Sequence, residues 1–446
     1  MNLKDTALLT PVGPARPGSS VAIRTAAWYG DDMVDLPFPA GWQVTVHAPE
    51  LPRPLELDEI VAAVRAPVGA EPLAAIAHGA RTVVIVVDDL TRPTPVETIL
   101  GALLAELDAA GVARSQVTVL VATGTHGPLS RERLTRKVGA DVGCRVISHD
   151  DQGDCVKIGV SRMGTPVVVN RAAAAADLVI GIGGVYPQHT AGFGGGSKLA
   201  LGILGRRSIA RLHFGRAGAG GRYDVANDFR ADLDEIARLV GLRWMVMAHV
   251  DGQRRIVRIV AGDPAVAYAE ASAYSRSAYA AAMPANADVV IANAYPMDIS
   301  ATFMRSKGII PLQHASRSAS RILIAACPEG IGHHGLYPLA PLTGIARVRR
   351  RIEVAWAQGQ VGLVGLGASG LRRLRPRRRR AVASGPALPI LMYQTVHLER
   401  PLPDGLPGMQ IVPNWAEVVD LVRRQQDGRD DLSVVVYPCA PLQVFE

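Results

Sequence analysis

The chain has 446 residues and a net charge of +8, with 48% hydrophobic and 20% charged residues. That is globular composition, which excludes a disordered chain, and the length exceeds what one core usually holds, so two domains are expected. Between Arg347 and Arg380 there are eleven Arg and one acidic residue, Glu353, a local net of +10 that leaves the rest at −2. The basicity is therefore local, and a solvated loop or helix face is expected there instead of a nucleic-acid surface.

Segments near 22–28 and 43–47 alternate like strands around a turn with Pro37, Pro39 and Gly41, predicting an N-terminal β-hairpin or meander. Short apolar runs of buried-strand type follow: Val83–Val87, Val117–Val121, Leu178–Ile182, Val289–Ala292 and Ile322–Ala326. Helix-like stretches separate most of them, such as Ile99–Ala110 with Leu100, Leu103, Leu104 and Leu107 on one side, and an Ala-rich stretch near 265–285. Strands alternating with helices predict an α/β fold: two α/β domains with mostly parallel sheets, residues 1–270 and 271–446, and an active site in the interdomain cleft.

Each apolar run ends in chemistry. Asp88-Asp89 and Arg92-Pro93 follow the first, Thr123-Gly124-Thr125-His126 the second, and Gly183-Gly184 and His189 the third. Asn293-Ala294-Tyr295-Pro296-Met297-Asp298 and Cys327-Pro328-Glu329-Gly330-Ile331-Gly332-His333-His334 follow the last two. Ligands of open α/β sheets bind outside the carboxyl ends of strands, so these loops predict one site built from many loops. His333 and His334 are candidates to line it, with a structural turn as the alternative.

The densest stretch is His189-Thr190-Ala191-Gly192-Phe193-Gly194-Gly195-Gly196-Ser197-Lys198, with His213 fifteen residues on. Glycines let the backbone approach something bulky or anionic. Leu199 after Lys198 rules out a Walker A loop, and Tyr186 breaks the dinucleotide fingerprint begun by Gly181 and Gly183. The four cysteines show no C-x-x-C spacing, so neither a zinc cluster nor a disulfide framework is expected. The first thirty residues lack a signal-peptide pattern, and no apolar run reaches a membrane span of roughly 20 residues. A soluble cytoplasmic protein with no membrane or nucleic-acid partner is the expectation.

These motifs, in this order and over about residues 20–340, resemble the nickel-dependent lactate racemase family of 2-hydroxyacid racemases and epimerases. The resemblance implies a nickel-pincer nucleotide, a Ni(II) pyridinium-3,5-bisthiocarboxylic acid mononucleotide, covalently attached at Lys198 with His213 as the protein's nickel ligand. Gly194, Gly195 and Gly196 would lie against this cofactor, and Asp89 would contact it or orient Arg92. His126 and His189 would act as alternate acid and base while the C2 hydride moves to the pyridinium ring and back through a 2-oxo acid. Arg92 and Lys307 would clamp the substrate carboxylate. Cofactor-biosynthesis proteins would be needed for maturation.

The His189–Lys198 and Lys198–His213 spacings are each one residue shorter than in the family. Met304 stands where Gln is usual and Phe303 where Tyr is common, which predicts a less polar pocket and a bulkier or more apolar substrate than lactate. Two other readings rest on the same residues: a nucleotide- or phosphate-binding transferase using the Gly-rich loop as an anion cradle, and a non-catalytic cofactor carrier in which His126 and His189 are dispensable.

Overall fold

Continuous β-branched runs can only be satisfied when both faces of a strand are covered. The computed structural model describes residues 20–220, 223–284, 286–339, 342–359, 388–403, 406 and 408–446, and it places these runs at the centres of two six-stranded sheets. In the first sheet the order is Ile256–Gly262, Leu242–Val250, Leu178–Gly184, Val83–Asp88, Val117–Ala122 and Arg145–Ser148. All neighbours are parallel except the edge pair Leu242–Val250 and Ile256–Gly262. Alternate residues enter opposite cores: Val84 and Val86 one, Val83, Ile85 and Val87 the other.

Helices cover both faces. Val96–Ala109 buries Ile99, Leu100, Leu103, Leu104 and Leu107 against the second of those cores. Asp228–Val240 buries Phe229, Leu233 and Ile236 in the first. Its start is fixed by the Asn227 side chain accepting from the Arg230 N–H, and its end by Gly241 in the left-handed region. The Ala-rich stretch forms the helix Val266–Ala278, which also packs on this sheet.

The second sheet runs Met409–Val412, Ile390–Gln394, Ser320–Ala325, Val289–Asn293, Ser433–Tyr437 and Gln43–Val46, with every pair parallel. Its last strand differs from the sequence expectation. The N-terminal hairpin exists, but Ser20–Thr25 pairs with Asp32–Pro37, and Gln43–Val46 leaves it for the edge beside Ser433–Tyr437. Phe38, Trp42 and Val44 gain burial against Trp415 and Val434 in return. The two sheets therefore do not divide the chain at residue 270. The first is built from within 57–278, the second from 43–46 and from Val289 onward.

Among the described residues no helix is long and apolar enough to cross a membrane. Gly344–Ala357 forms a helix whose Arg350 and the more distant Arg206 both pair with Glu353. The remaining Arg residues of the basic run, 372–380, lie outside the described residues.

Candidate active site

In the first sheet the chain leaves Val83–Asp88 toward Val117–Ala122 on one side and later returns to Leu178–Gly184 on the other. The loops at that reversal diverge and leave a crevice, the usual ligand position of such sheets. Here it is a cavity of about 310 Å³, roofed by residues of the second sheet's loops. Its lining brings together Asp89, Arg92, His126, His189, Gly194, Gly195, Lys198, His213 and Lys307.

Asp89 is buried. One oxygen accepts from His126 Nδ1 at 2.6 Å; the other accepts the N–H and hydroxyl of Thr91. Burial alone would raise this carboxyl, but the imidazole charge and hydrogen bond of His126, with Arg92 and Thr91, outweigh it and hold the group well below the carboxylate range. Asp89 thus bonds His126 and forms no ion pair with Arg92 among the described residues. His126 is further boxed by Phe303, edge to face at 4.5 Å, and by His334 at 5.1 Å.

The loop carrying Asp89 and Arg92 is pinned from beneath. Lys137, fully enclosed, pairs with Asp88 at 2.8 Å and donates to the carbonyls of Arg92 and Thr94. Asp88 also accepts from the Gly184 N–H at 3.0 Å, joining two strand ends. With both carboxylates engaged elsewhere, Arg92 forms no ion pair among the described residues and donates only to Thr91. Its guanidinium therefore faces the cavity with charge to spare.

His189 sits at the tip of the two-residue hairpin Pro187–Gln188 and Gly192–Phe193, whose turn is closed by the Gln188 side chain accepting from Thr190 and Ala191. It still reaches solvent at the mouth, yet loss of water around the ring and the charges of Lys307 and Lys198 lower its pKa to about 4. The Gly-rich loop beyond it is held by buried Arg230, which donates to the carbonyls of Ala191, Phe193 and Gly195. Gly195 has φ +74, and a Cβ there would stand 2.8 Å from Val185. Gly196 differs from expectation: it does not line the cavity, and a Cβ would meet the Tyr268 ring instead.

Lys198 forms no hydrogen bond or ion pair through its amine among the described residues. Burial, then the charges of Arg92 and Arg230, lower its pKa to about 7, so a nucleophilic neutral amine is available near neutrality. Lys307 is buried with only the Pro187 carbonyl at 3.4 Å as partner, and burial, Arg92 and Lys198 depress it strongly. On the helix Arg206–Gly215, His213 Nδ1 donates to the Ile209 carbonyl at 2.9 Å, leaving a lone pair on Nε2. Burial chiefly lowers its pKa to about 3, so the ring is neutral. No group of three or more His, Cys, Asp or Glu able to hold a metal occurs among the described residues, so His213 would be a lone protein ligand.

Other residues part from the sequence reading. Asp298 does not face the cavity; buried, it accepts the N–H groups of Ala26 and Ala27 and fixes the hairpin turn. Met304 is buried in the second sheet's core and does not line the site, whereas Phe303 does. His334, one of the two candidate histidines after Gly332, does line it, whereas His333 does not, and Tyr337 joins it without a signal in the sequence.

Fold and site define a two-domain-like α/β protein whose inter-sheet cavity gathers histidines, two buried lysines and an arginine without an ion pair among the described residues. Comparison with known proteins narrows the class. Residues 29–220 match the family described as lactate racemase N-terminal domain, and the likeness to lactate racemases read from the motifs is borne out. A lactate racemase of Lactiplantibacillus plantarum is 29% identical over 286 residues, 61% of this chain and 66% of that one, just under two thirds of its length. One of Thermoanaerobacterium thermosaccharolyticum is 28% identical over 297 residues, 63% of this chain and 68% of that one. The lactate racemase apoprotein structure from T. thermosaccharolyticum superposes with a TM-score of 0.67 at 20% identity, covering 96% of this chain and all of that one. A Thermotoga maritima protein follows at 0.56 and 13%, covering 89% of this chain and all of that one. Both superpositions establish the fold.

Proposed function

We propose that the protein is a 2-hydroxyacid racemase or epimerase of the lactate racemase type, working through a nickel-pincer nucleotide. The observation carrying this is the convergence of two histidines, an unpartnered low-pKa lysine, a neutral histidine with a free lone pair, an arginine without an ion pair among the described residues and a second buried lysine in one cavity. The residues fit the group. Lys198 would hold it covalently, His213 Nε2 would ligate nickel, and the cavity-lining backbone of Gly194 and Gly195 would lie against its ring. A soft sulfur set completed by one imidazole suits Ni(II). When bound, the pyridinium ring supplies an acceptor and donor of hydride.

The chain's own residues do the rest. Arg92 binds the substrate carboxylate, bidentately where geometry allows, and the Lys307 amine donates a hydrogen bond to it. His126, held by Asp89 through Nδ1, presents Nε2 as a base for the hydroxyl proton. His189, neutral, serves the opposite orientation, because enantiomers sharing one carboxylate clamp present their hydroxyls differently. The wall of Phe303, His334 and Tyr337 favours a side chain larger or flatter than a methyl group; Met304, being buried, has no part in that choice. The bond from the Gly194 N–H to the Tyr186 carbonyl removes a donor from the anion cradle that a transferase would need. Maturation calls for separate cofactor-biosynthesis proteins.

Intact-mass spectrometry with nickel analysis, on protein co-expressed with pincer-biosynthesis proteins, tests this. A nickel-containing adduct on the Lys198 peptide, absent from Lys198→Ala, is expected, with nickel weakened in His213→Ala. Chiral chromatography should then show interconversion of at least one 2-hydroxyacid. An unmodified, nickel-free chain under conditions that load a lactate racemase would refute the reading and favour the transferase.

A further inference from the structure

Beside His126 the cavity holds another imidazole, His334, which the mechanism above uses only as part of a wall. Its Nδ1 accepts the Leu336 backbone N–H at 3.3 Å and lies 3.1 Å from the Thr125 hydroxyl. A ring nitrogen that accepts a backbone N–H carries no proton, so the neutral ring bears its hydrogen on Nε2. Nε2 has no hydrogen-bond partner among the described residues, is not among the enclosed polar atoms left unpaired, and belongs to a ring that lines the cavity. His213 is the reverse case, with Nδ1–H given to Ile209 and a lone pair on Nε2. Two imidazoles of one cavity thus offer opposite chemistry. His213 is suited to a metal, and His334, as an N–H donor, is suited to oxygen.

We propose that His334 is a catalytic hydrogen-bond donor to the C2 oxygen of the substrate, polarising the carbonyl of the 2-oxo acid as hydride returns. This rests on the racemase reading. His334 is placed next to the base that handles the same oxygen: the rings of His126 and His334 are 5.1 Å apart at 68°. Phe303 lies near-parallel to His334 at 6.0 Å and edge to face with His126 at 4.5 Å, so one side chain fixes both. On oxidation, the C2–H electron pair would leave as hydride, which the pyridinium held by Lys198 would accept, the hydroxyl proton would pass to a histidine, and C2–O would become a double bond. On return, hydride forms the new C2–H bond, the carbonyl pair moves onto oxygen, and a histidine supplies its proton. Negative charge builds on that oxygen as its proton leaves in the first half and again as the carbonyl pair moves onto it in the second, and a fixed N–H stabilises it in both. Burial chiefly keeps His334 neutral, so it donates without competing as a base.

The test compares His334→Phe, which keeps a ring but loses the donor, with His334→Gln, which keeps an N–H. In loaded enzyme, His334→Phe should lower kcat by roughly 10²-fold with KM nearly unchanged, as loss of such donors does, and raise the isotope effect of C2-deuterated substrate. His334→Gln should recover most of the rate. In cofactor-free wild-type protein, adding pyruvate should shift the His334 Nε2–H resonance in imidazole 15N spectra, and propionate, which lacks the carbonyl, should not. That measurement stands even where a variant fails to fold. Equal responses to pyruvate and propionate, or a His334→Phe kcat close to wild type, would overturn the proposal. Absence of racemisation by loaded wild-type enzyme would instead overturn the racemase reading, leaving the resonance experiment to judge the donor.

Discussion

Replacing Asp89 with Asn changes one atom and should disable His126. The Asp89 oxygen near Thr91 receives an obligatory backbone N–H at 3.1 Å and a hydroxyl, so in Asp89→Asn the amide oxygen must stay there. The amide NH2 then faces His126 Nδ1, where a carboxylate oxygen accepts at 2.6 Å in the native protein. His126 can keep a bond only by accepting at Nδ1, which moves its proton to Nε2 and leaves no lone pair for the substrate hydroxyl. General acid–base catalysis contributes about 10²–10⁴-fold, and loss of the correct tautomer in a comparable His–Asp pair costs about 10⁴. A kcat loss of about 10²–10⁴ is therefore expected, with KM within a few-fold, because Arg92 and Lys307 are untouched. Both directions should fall alike, since each turnover uses both histidines. Initial rates by chiral chromatography, with thermal unfolding as the control for folding, measure this. A variant with native stability, full cofactor loading and a kcat close to wild type would refute the orienting role of Asp89.

Three further outcomes follow from the geometry. Lys137→Met strands the buried Asp88 carboxylate, and breaking a buried pair in this way costs about 3–5 kcal/mol; urea unfolding should show it, and a loss well under that range would mean Asp88 finds another cation. Gly195→Ala forces a Cβ to 2.8 Å from Val185 at φ +74, for which about 1–3 kcal/mol of lost stability is expected, and an unchanged unfolding midpoint would show the loop yields freely. Buried His149 and His249 have pKa values lowered by burial to about 4, so both rings are neutral in the fold and would charge when unfolded below about pH 6.5. Their contribution is complete above that pH and is lost as pH falls toward 4, on the order of 3 kcal/mol for fully enclosed His249. A thermal midpoint that stays flat from pH 7 to 4.5 would contradict it.

The five apolar runs were legible because a strand covered on both faces must be apolar at nearly every position, a local property. Arg92, His126 and His189 were legible for a related reason: they occupy loops at the carboxyl ends of those runs, where a parallel sheet leaves room for ligands. They meet Lys198, His213 and Lys307, which lie on helices, in one cavity. Their pairings were not legible. Asp89 stands 37 residues from His126, and nothing local distinguishes that partner from Arg92 three positions away. Asp298 and Met304 lie in a site-like stretch yet turn to the hairpin and the core. Gln43–Val46 reads as a strand by its alternation, but period-two patterning specifies a face and not a neighbour, and only burial against Trp415 and Ser433–Tyr437 chose the second sheet. The proton positions of His213 and His334 were decided last of all, by the carbonyl or N–H that tertiary packing set against each Nδ1. Local sequence determines which segments are buried and where polar chemistry gathers; which groups touch, and in what protonation, is settled by packing between residues far apart in the chain.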